Sequence, residues 1–407
     1  MAQTKDRKVP VNLRQSGDAN VSMLIGTRVR KSVYWHKSVE HGVRAATVYN
    51  RMYHPRLYFA PEADALMGEY YYLTRHVTLW NVAVERQIQV KGPDALDFVN
   101  RVVTRDMKRL LPVNKARYVI LCEEAGGIVN DPVLLRLAED EFWFSISDSD
   151  LALWLKGLNH GFGYDVEIGE IDVAPVQVQG PKSRPLMKTL FGDVVDEVRY
   201  YGLWQTTLDG LDVVVSRTGF SGEIGYEVYL RNANRDADRL WDTIVEAGRA
   251  FDLRVVAPGH IRRIEAGILS YGQDMDLETN PFEVGLDWQV DLEKQDYVGK
   301  DALARIKREG VGRKLVGLVM GGPRITWYNT DFWIVCDETC ERDVGYVTSA
   351  FFSPKLERNI ALAMVPIDYA AVGTRLTVNL PAEAGPTPAE VHPVPFYDPK
   401  KQIPKAE

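Results

Sequence analysis

The hydrophobic and polar positions of the chain follow two periods that alternate along its first half. Residues 61–74 place apolar side chains at helical spacing, whereas residues 76–92 alternate apolar and polar positions as a strand does. A Gly-Pro pair ends that strand, and residues 93–103 return to a helical period with Asp94 as the predicted cap. We therefore expect a helix, one strand and a second helix in this order.

The stretch from Val119 to Leu135 predicts a β-hairpin around a Gly-Gly turn. Asn130 and Asp131 interrupt its second apolar run, where a buried strand normally carries Val, Ile or Leu. These two residues either finish the turn, with Pro132 blocking edge pairing, or serve a ligand from the sheet. The local pattern by itself favours the turn, and in both interpretations Asp131 lies on the sheet.

Strands and helices continue to alternate after the hairpin. EFWFSISDSD and LALWLKGL predict a strand and a helix, which complete an α+β unit resembling a split βαβ layer. IDVAPVQVQ predicts a strand that ends in a Gly-Pro turn before a helix beginning near Ser183, and RDADRLWDTIVEAGRAF is a clean amphipathic helix.

A second hairpin is predicted for DVVVSRTGFSGEIGYEVYL, in which Glu227 lies on the returning strand. Its glycines permit tight turning and close approach of a ligand, although an ordinary glycine-rich hairpin with a surface glutamate fits the same pattern. Beyond it, the runs KLVGLVM, VGYVTSAFFSP, IALAMVP and RLTVNL predict a separate small β-barrel or sandwich. The Pro-rich end is predicted to be extended.

Length and charge narrow the function classes. At 407 residues the chain exceeds one ordinary core, and we expect two or three domains. With 49 basic and 56 acidic residues the net charge is −7, which gives no electrostatic reason to expect nucleic acid or an acidic membrane as a partner. No apolar run approaches the ~20 residues of a spanning helix. Small-molecule chemistry is the simplest expectation.

Cysteines and acidic runs predict neither a disulfide framework nor a metal site. Three cysteines are too few for such a framework, which favours a cytoplasmic protein, and CDETC is interpreted as a loop with incidental thiols. The acidic run DMDLE lacks the ligand spacing of a calcium loop. We predict no metal.

Residues 1–30 are polar and basic, and we expect a loosely ordered arm. The following segment is dense in aromatic rings and histidines, which either fill a core or hold a cationic methyl donor by cation–π attraction. These residues are Tyr34, Trp35, His36, His41, Tyr49, Tyr53 and His54.

Eight motifs together resemble the folate-dependent aminomethyltransferase family, which includes the T-protein of glycine cleavage. They are GGIVNDPV, QGPKS, SRTGFSGEIGYE, RIEAGILSYGQDMD, NPFEVGLDW, YVGKDAL, KLVGL and TSAFFSP, in the order seen in that family. TVYNRM, HVTLWNVAVERQIQVKGPDAL, VNDPVLLRL and SISDSDLALWLKGL resemble its dimethylsulfoniopropionate demethylase branch more closely. The resemblance covers roughly residues 34–370.

The resemblance implies an α+β, three-domain cloverleaf of the aminomethyltransferase type, with a ferredoxin-like unit and a C-terminal β-barrel around a central folate channel. After the arm, domain 1 would comprise residues 31–75 and 165–260 and bind folate. Domain 2, the ferredoxin-like unit, would comprise residues 76–164 with 261–295, and the barrel and tail residues 296–407.

The resemblance also implies site residues. The folate-contacting acid of the family, its catalytic residue, falls on Asp131, and the carboxylate that receives the amino edge of the pterin falls on Glu227, where a bidentate acceptor suits adjacent N–H donors. The remaining implied cofactor-binding residues are Tyr118, Ser147, Phe220 and Trp288. The residues expected on the substrate side are Trp35, Tyr49, Tyr229, His260 and Ser270.

Two departures from the family bear on the substrate. The demethylase branch has Trp-Ser-Lys-Gln in the glycine hairpin, where this chain has Phe-Ser-Gly-Glu at 220–223, as in the T-protein with Phe for Tyr. The Gly-Ala-Arg-Asp segment of the T-protein is replaced around Pro258, Gly259 and His260, which argues against a lipoylated carrier protein as partner.

The expected activity is transfer of a methyl group from a small S-, N- or O-methylated substrate to N5 of tetrahydrofolate. One alternative is aminomethyl transfer in glycine cleavage or in degradation of methylated glycines. The other is a non-catalytic folate-binding protein of assembly or repair, since a shared fold does not secure a shared activity. The methyl donor and the oligomeric state stay open.

Overall fold

The computed structural model describes residues 25–60, 64–329, 331–380 and 385–406. Its main elements are a six-stranded sheet, a five-stranded sheet and a closed six-stranded barrel, and it also contains two two-stranded hairpins. The expected α+β class with a C-terminal barrel is confirmed. Most of the arm predicted for residues 1–30 lies outside the described residues.

The six-stranded sheet is antiparallel except at one edge, where the last strand runs parallel to its neighbour. Helices carrying Leu186, Trp241 and Ile244 cover it and form the largest apolar core of the chain. In spatial order its strands are Leu203–Leu208, Leu211–Ser216, Gly225–Arg231, Val173–Gln179, Thr78–Asn81 and Arg254–Val255.

The five-stranded sheet is wholly antiparallel and carries three helices over a second core that includes Phe98, Phe142 and Leu155. Its first and last strands along the chain are neighbours, as expected for the predicted split βαβ layer. In spatial order its strands are Glu167–Glu170, Gln87–Lys91, Glu141–Ser145, Val133–Ala138 and Lys115–Tyr118.

The closed barrel accounts for the short strands predicted near the C-terminus. It also contains Pro386–His392 from the segment predicted to be extended, and the short helix Gln402–Lys405 follows. Closure pairs every strand edge, which removes sites for aggregation. In spatial order the strands are Arg313–Met320, Arg358–Pro366, Asp343–Ser353, Trp333–Cys336, Arg375–Asn379 and Pro386–His392.

The helices confirm most of the helical periods in the sequence. The helix predicted for residues 61–74 is observed at Ala65–Arg75, and residues 61–63 lie outside the description. The other helices are Trp35–Glu40, Ala95–Val102, Met107–Leu110, Leu151–Phe162, Ser183–Phe191, Val194–Glu197, Ala233–Gly248, His260–Glu265 and Lys300–Glu309.

The prediction of a single strand for residues 76–92 is wrong, because the segment forms two strands. A turn closed by a hydrogen bond from the Glu85 N–H to the Val82 carbonyl divides it. Thr78–Asn81 then joins the six-stranded sheet, and Gln87–Lys91 joins the five-stranded sheet. Because each half satisfies a period of two by itself, the sequence pattern does not reveal that they belong to different sheets.

This division also moves two predicted domain boundaries. Thr78–Asn81 belongs with the sheet of domain 1, although domain 2 was expected to begin at residue 76. Glu167–Glu170 belongs with the five-stranded sheet, although domain 1 was expected to resume at residue 165. The physical reason is strand pairing, which each segment completes with partners distant in sequence.

The predicted hairpin at Val119–Leu135 is also divided. Ile128–Asn130 pairs with Leu121–Cys122 in a two-stranded ribbon, whereas Val133–Ala138 continues in the five-stranded sheet. Asp131 therefore lies in the break between two strands rather than on a sheet. This break frees its side chain from cross-strand packing.

Other local predictions have mixed outcomes. Cys336 and Cys340 are joined by a disulfide, so the interpretation of CDETC as incidental thiols is wrong. Asp274, in the DMDLE run, is buried against Arg263. In the described part of the chain, no helix is long and apolar enough to cross a membrane, and no group of three or more His, Cys, Asp or Glu side chains is arranged to hold a metal ion.

Candidate functional site

A cavity of about 660 Å³ lies where the two sheets and the barrel meet. Asp131 comes from the strand break, Glu227 from the six-stranded sheet and Leu362 from the barrel, so the complete fold is needed to form it. This volume is within the range of about 300–1,000 Å³ that is typical of small-molecule sites.

Asp131 is held in the cavity by hydrogen bonds from two side chains, and its neighbour Asn130 helps to place one of them. The Tyr118 hydroxyl donates a hydrogen bond of 2.9 Å to Oδ2, and the Ser147 hydroxyl donates to Oδ1. Asn130 accepts from the Ser147 backbone N–H at 3.1 Å and donates to the Ser149 hydroxyl at 2.8 Å. Asn130 therefore positions the loop that carries Ser147, and Ser147 in turn holds Asp131.

Burial changes the charge of Asp131. The side chain is 8% exposed, and loss of solvation raises its pKa to about 7, although the hydrogen bonds from Ser147 and Tyr118 act in the opposite direction. Near neutral pH the carboxyl group therefore exists in both forms. A group with this property in a cavity is a candidate for function.

Glu227 is buried on the strand Gly225–Arg231, and strand register surrounds it with donors. Gln177 and Ser216 lie opposite it on the two neighbouring strands. Oε1 accepts a hydrogen bond of 2.6 Å from Gln177, whereas Oε2 accepts from Thr218 at 2.6 Å and from Tyr229 at 2.5 Å. Burial raises the pKa of Glu227 in spite of these donors.

Glu85 is a third carboxylate in the cavity, and the sequence analysis missed it. It lies in the turn between the strands Thr78–Asn81 and Gln87–Lys91, and the Ser145 hydroxyl donates to it at 3.3 Å. Burial first, and the charge of Glu227 second, hold its pKa well above the usual range. The polar pair at 85–86 between two apolar runs is the signal that could have indicated it.

Aromatic rings line the cavity beside these acids. Tyr49 and Phe220 are partly buried in its wall, whereas Trp288 is 54% exposed near Tyr118, with 6.2 Å between the ring centroids. Together they provide flat apolar surfaces of the kind that bind a heteroaromatic ligand.

The Gln179 side chain packs against the glycine-rich loop at 217–225 and holds it in place. A Cβ atom at Gly219 or Gly225 would lie within 2.2 Å of the Gln179 amide. Gln179 donates to the Thr218 carbonyl at 3.2 Å and accepts from the Ser221 hydroxyl at 2.7 Å, which holds the loop. These glycines therefore admit Gln179, and the predicted close approach of a ligand is not needed to explain them.

The departure from the demethylase branch at 220–223 has a packing reason. Gly222 has φ +69°, and a Cβ atom there would lie 2.6 Å from that of Ala266, so a lysine does not fit. Glu223 forms a 2.7 Å ion pair with Arg262, which is fully buried. In this chain both residues serve the fold.

The structure brings most of the predicted site residues together, with two exceptions. Trp35 does not line the cavity and stacks on Tyr53 with 4.9 Å between the ring centroids. Tyr229 lies behind Glu227, to which it donates, rather than facing the cavity. The residues that do line it are Tyr49, Tyr118, Asp131, Ser147, Phe220, Glu227, His260, Ser270 and Trp288.

Several lining residues were not among the predicted site residues. Arg56, Gln177, Tyr201 and Tyr271 all reach the cavity, and they come from four separate segments of the chain. No motif connects them, since only the folded structure brings these segments together. His54 also lines the cavity and belonged to the aromatic and histidine-rich segment noted in the sequence.

Two family models match the chain. The GCVT N-terminal domain matches residues 34–294, and the glycine cleavage T-protein C-terminal barrel domain matches residues 313–398. The second range contains all six barrel strands described above.

Known proteins with similar sequences include a demethylase and several aminomethyltransferases. Dimethylsulfoniopropionate demethylase DmdA of Ruegeria pomeroyi is 36% identical over 88% of this chain and 96% of its own length. The aminomethyltransferase of Thermotoga maritima is 36% identical over 80% of this chain and 86% of its own length. The crystal structure of aminomethyltransferase T from Bartonella henselae covers 90% of this chain and 98% of its own, with a TM-score of 0.78 and 23% identity, and shows the shared fold.

Proposed function

Because the chain belongs to the glycine cleavage T-protein family, we propose that it is a tetrahydrofolate-dependent methyltransferase. It would move a methyl group from a small S-, N- or O-methylated substrate to N5 of tetrahydrofolate. The proposal is supported by similarity to a demethylase over 88% of the chain. The observation that carries it is the buried Asp131, held by Tyr118 and Ser147 in a cavity of small-molecule size.

The chemistry of the cavity fits a reduced pterin. The Oε1 atom of Gln177 is buried and has no hydrogen-bond partner among the described residues. The Oε1 atom of Glu227 accepts from Gln177 alone, which leaves it capacity for a second donor. Two adjacent acceptors match the N–H edge of a pterin, so Glu227 and Gln177 would hold that edge. Tyr118, Phe220 and Trp288 would contact its ring.

Asp131 would supply the charge for the reaction. Bound tetrahydrofolate provides N5 as the nucleophile that accepts the methyl group. In its ionised form, Asp131 stabilises positive charge that develops beside it, and the low polarity of its surroundings strengthens that interaction. Tyr118 and Ser147 keep the carboxylate in one orientation before the reaction begins, so little reorganisation is needed.

The leaving group decides what else the site must do. A sulfonium or quaternary ammonium donor leaves as a neutral molecule, so the protein mainly aligns the reactants and excludes water. A methyl ether needs a proton for its leaving oxygen. The segment around Pro258, Gly259 and His260 lacks the arginine expected for the T-protein, and we therefore propose free small molecules rather than a lipoylated carrier protein as donors.

Incubation of the purified protein with tetrahydrofolate and a panel of methylated sulfonium, betaine and aryl-ether compounds tests the proposal. Formation of 5-methyltetrahydrofolate with one of these donors is the expected result. Formation of 5,10-methylenetetrahydrofolate from a lipoyl-bound aminomethyl donor would instead support the activity for which the Thermotoga relative is named. Folate binding without product from either set would indicate a binding protein and overturn the proposed transfer.

A further inference from the structure

A second group of side chains lines the same cavity and has no role in the folate contacts proposed above. Arg56, His54 and His260, here called the basic cluster, all contribute to the cavity wall. His54 and Arg56 are two residues apart on the strand Met52–Leu57, and both reach the cavity. His260 is the first residue of the helix His260–Glu265.

Arg56 differs from the other arginines nearby in its lack of an acidic partner. Its guanidinium lies 4.5 Å from the centroid of the Tyr328 ring, and no carboxylate of the described residues pairs with it. By contrast, Arg262 pairs with Glu223 and Arg263 pairs with Asp274. A partly buried guanidinium retains five N–H donors that match a carboxylate, and only the aromatic ring compensates its charge here.

The two histidines add hydrogen-bonding capacity without adding charge. Both are 6% exposed, and Nδ1 of His54 and Nε2 of His260 have no hydrogen-bond partner among the residues that the structure describes. Burial and the positive charges nearby lower both pKa values, so both rings are neutral. Arg263 can only donate to Nδ1 of His260, at 3.5 Å, so the proton of this imidazole resides on the unpartnered Nε2.

The basic cluster is linked to Asp131 by residues along the cavity wall. Ser147, which donates to Asp131, is also within hydrogen-bonding reach of Tyr49. The Tyr49 ring lies 5.5 Å from that of His54, measured between centroids. The carboxylate of Asp131 and the guanidinium of Arg56 therefore face the same cavity and are connected along its wall by Ser147, Tyr49 and His54.

We propose that Arg56, with His54 and His260, binds a carboxylate group of the methyl donor. The substrate class is then a small methylated carboxylic acid, with its methyl group directed to Asp131 and its carboxylate to Arg56. This inference rests on the proposed function and deepens it. Buried N–H donors without partners destabilise a protein, and a carboxylate ligand relieves this while forming charge-assisted hydrogen bonds.

The glutamate part of folate also carries carboxylates and is the second possible source of the anion. Lys314 lines the cavity with an exposed side chain and offers that tail a cation near solvent. Arg56 is instead grouped with two buried histidines, one of which, His54, lies 5.5 Å from Tyr49 between ring centroids. The donor is therefore the assigned ligand, and the experiment below separates the two sources.

Titration calorimetry with small carboxylates tests the basic cluster directly. Propionate and benzoate are titrated into the tetrahydrofolate-loaded protein, with propionamide and benzamide as neutral counterparts. We expect at least one carboxylate to bind, its amide to bind at least about tenfold more weakly, and Arg56→Gln to weaken the carboxylate at least about tenfold. Arg75→Gln is the matched control, because Arg75 also lies 4.5 Å from a tyrosine ring, that of Tyr71, but outside the cavity.

Failure to bind either carboxylate, or equal binding by wild type and Arg56→Gln, overturns the proposal. The folate source is tested with tetrahydrofolate and 6-methyltetrahydropterin, which lacks the glutamate. If Arg56→Gln weakens only tetrahydrofolate, Arg56 holds the folate tail and the donor assignment is wrong. If the wild-type protein binds neither pterin, the proposed function fails, whereas carboxylate binding to the unloaded protein that depends on Arg56 still supports the basic cluster.

Discussion

At the scale of single residues, Asp131 carries most of the proposed chemistry. Replacement by asparagine keeps the shape of the side chain and removes its charge. We expect Asp131→Asn to lower kcat by at least about a hundredfold while the far-ultraviolet circular dichroism stays that of the wild type. The measurement is the rate of 5-methyltetrahydrofolate formation. Asp238→Asn, at an exposed position outside the cavity, is the control, and wild-type rates in Asp131→Asn would refute the assigned role.

The pKa of Asp131 predicts how activity depends on pH. Burial raises this pKa from its usual value near 4 to about 7, so the carboxylate needed for charge stabilisation forms only as pH rises through 7. We expect kcat/KM to increase by about tenfold per pH unit below 7 and to level off above it. Glu85 and Asp274 also act on this region, so the profile reports the group of acids together. A profile that is flat from about pH 5.5 to about pH 8 contradicts this assignment.

The raised pKa of Glu85 predicts how the stability of the fold depends on pH. Its pKa is raised in the folded protein, so ionisation at neutral pH destabilises the folded state, and the effect disappears as pH falls below the unfolded pKa near 4.3. We expect Glu85→Gln to increase the free energy of unfolding at pH 8 by on the order of 1 kcal/mol or more. Urea unfolding at pH 8 and pH 4 measures this difference. Glu167→Gln, on an exposed strand position, should change little, and an equal gain at both pH values would exclude the electrostatic explanation.

At the scale of elements, the strand break at 131–132 depends on the ribbon before it. Gly127 lies in this ribbon's turn, where a Cβ atom would be 2.0 Å from the Leu277 backbone carbonyl. Because a carbonyl of the backbone cannot rotate away as a side chain does, we expect Gly127→Ala to lower the free energy of unfolding by about 1–3 kcal/mol. Thermal unfolding compares it with Gly169→Ala, whose added Cβ meets open space. A similar melting temperature for the two variants would show that the backbone around Leu277 shifts to make room for the added Cβ atom.

The strand break also separates the contacts of the two neighbouring polar residues Asn130 and Asp131. Asn130 forms hydrogen bonds to the loop at 147–149, and Asp131 faces the cavity. Asn130 belongs to the strand Ile128–Asn130, so the turn interpretation is wrong for it, and a ligand role for Asp131 stays a prediction. The break after Asn130 allows the two side chains to take different directions, since successive side chains there need not alternate across a sheet.

At the scale of the whole molecule, buried polar groups tie the barrel to the sheets around the cavity. Asp274 accepts hydrogen bonds from the Thr348 and Ser349 hydroxyls of the barrel, both at 2.6 Å, and forms an ion pair with Arg263 of the helix His260–Glu265. Glu265, on the same helix, accepts from Tyr70 at 3.0 Å and from Ser353 of the barrel at 2.6 Å. These contacts fix the helix His260–Glu265, whose first residue lines the cavity.

Removal of one partner from this network should affect the entire fold. Asp274→Ala leaves the Arg263 charge buried and unpaired, and we expect the free energy of unfolding to fall by about 3–5 kcal/mol. Urea unfolding followed by tryptophan fluorescence measures the change. Glu246→Ala removes an exposed pair with Arg249 and should cost less than about 1 kcal/mol. Equal effects of the two substitutions would mean that water compensates Arg263.

The sequence by itself determined the classes of element and the identity of one acid. Periods of 3.6 and 2 predicted the helices near Ser183 and Ala233 and the hairpin that carries Glu227, because these patterns report which side chains face the core. The ordered motifs identified the family, which the comparisons confirm. They also selected Asp131, whose role stays a prediction.

Only the tertiary structure decided which sheet each strand joins and which side chains meet in the cavity. The halves of residues 76–92 have the same local period but different partners, and strand pairing is chosen by the whole fold. Glu85 and Arg56 acquire their properties from Glu227 and Tyr328, which lie more than a hundred residues away along the chain. A local pattern records the burial of a side chain, whereas its charge state and its partners depend on neighbours that only folding brings near.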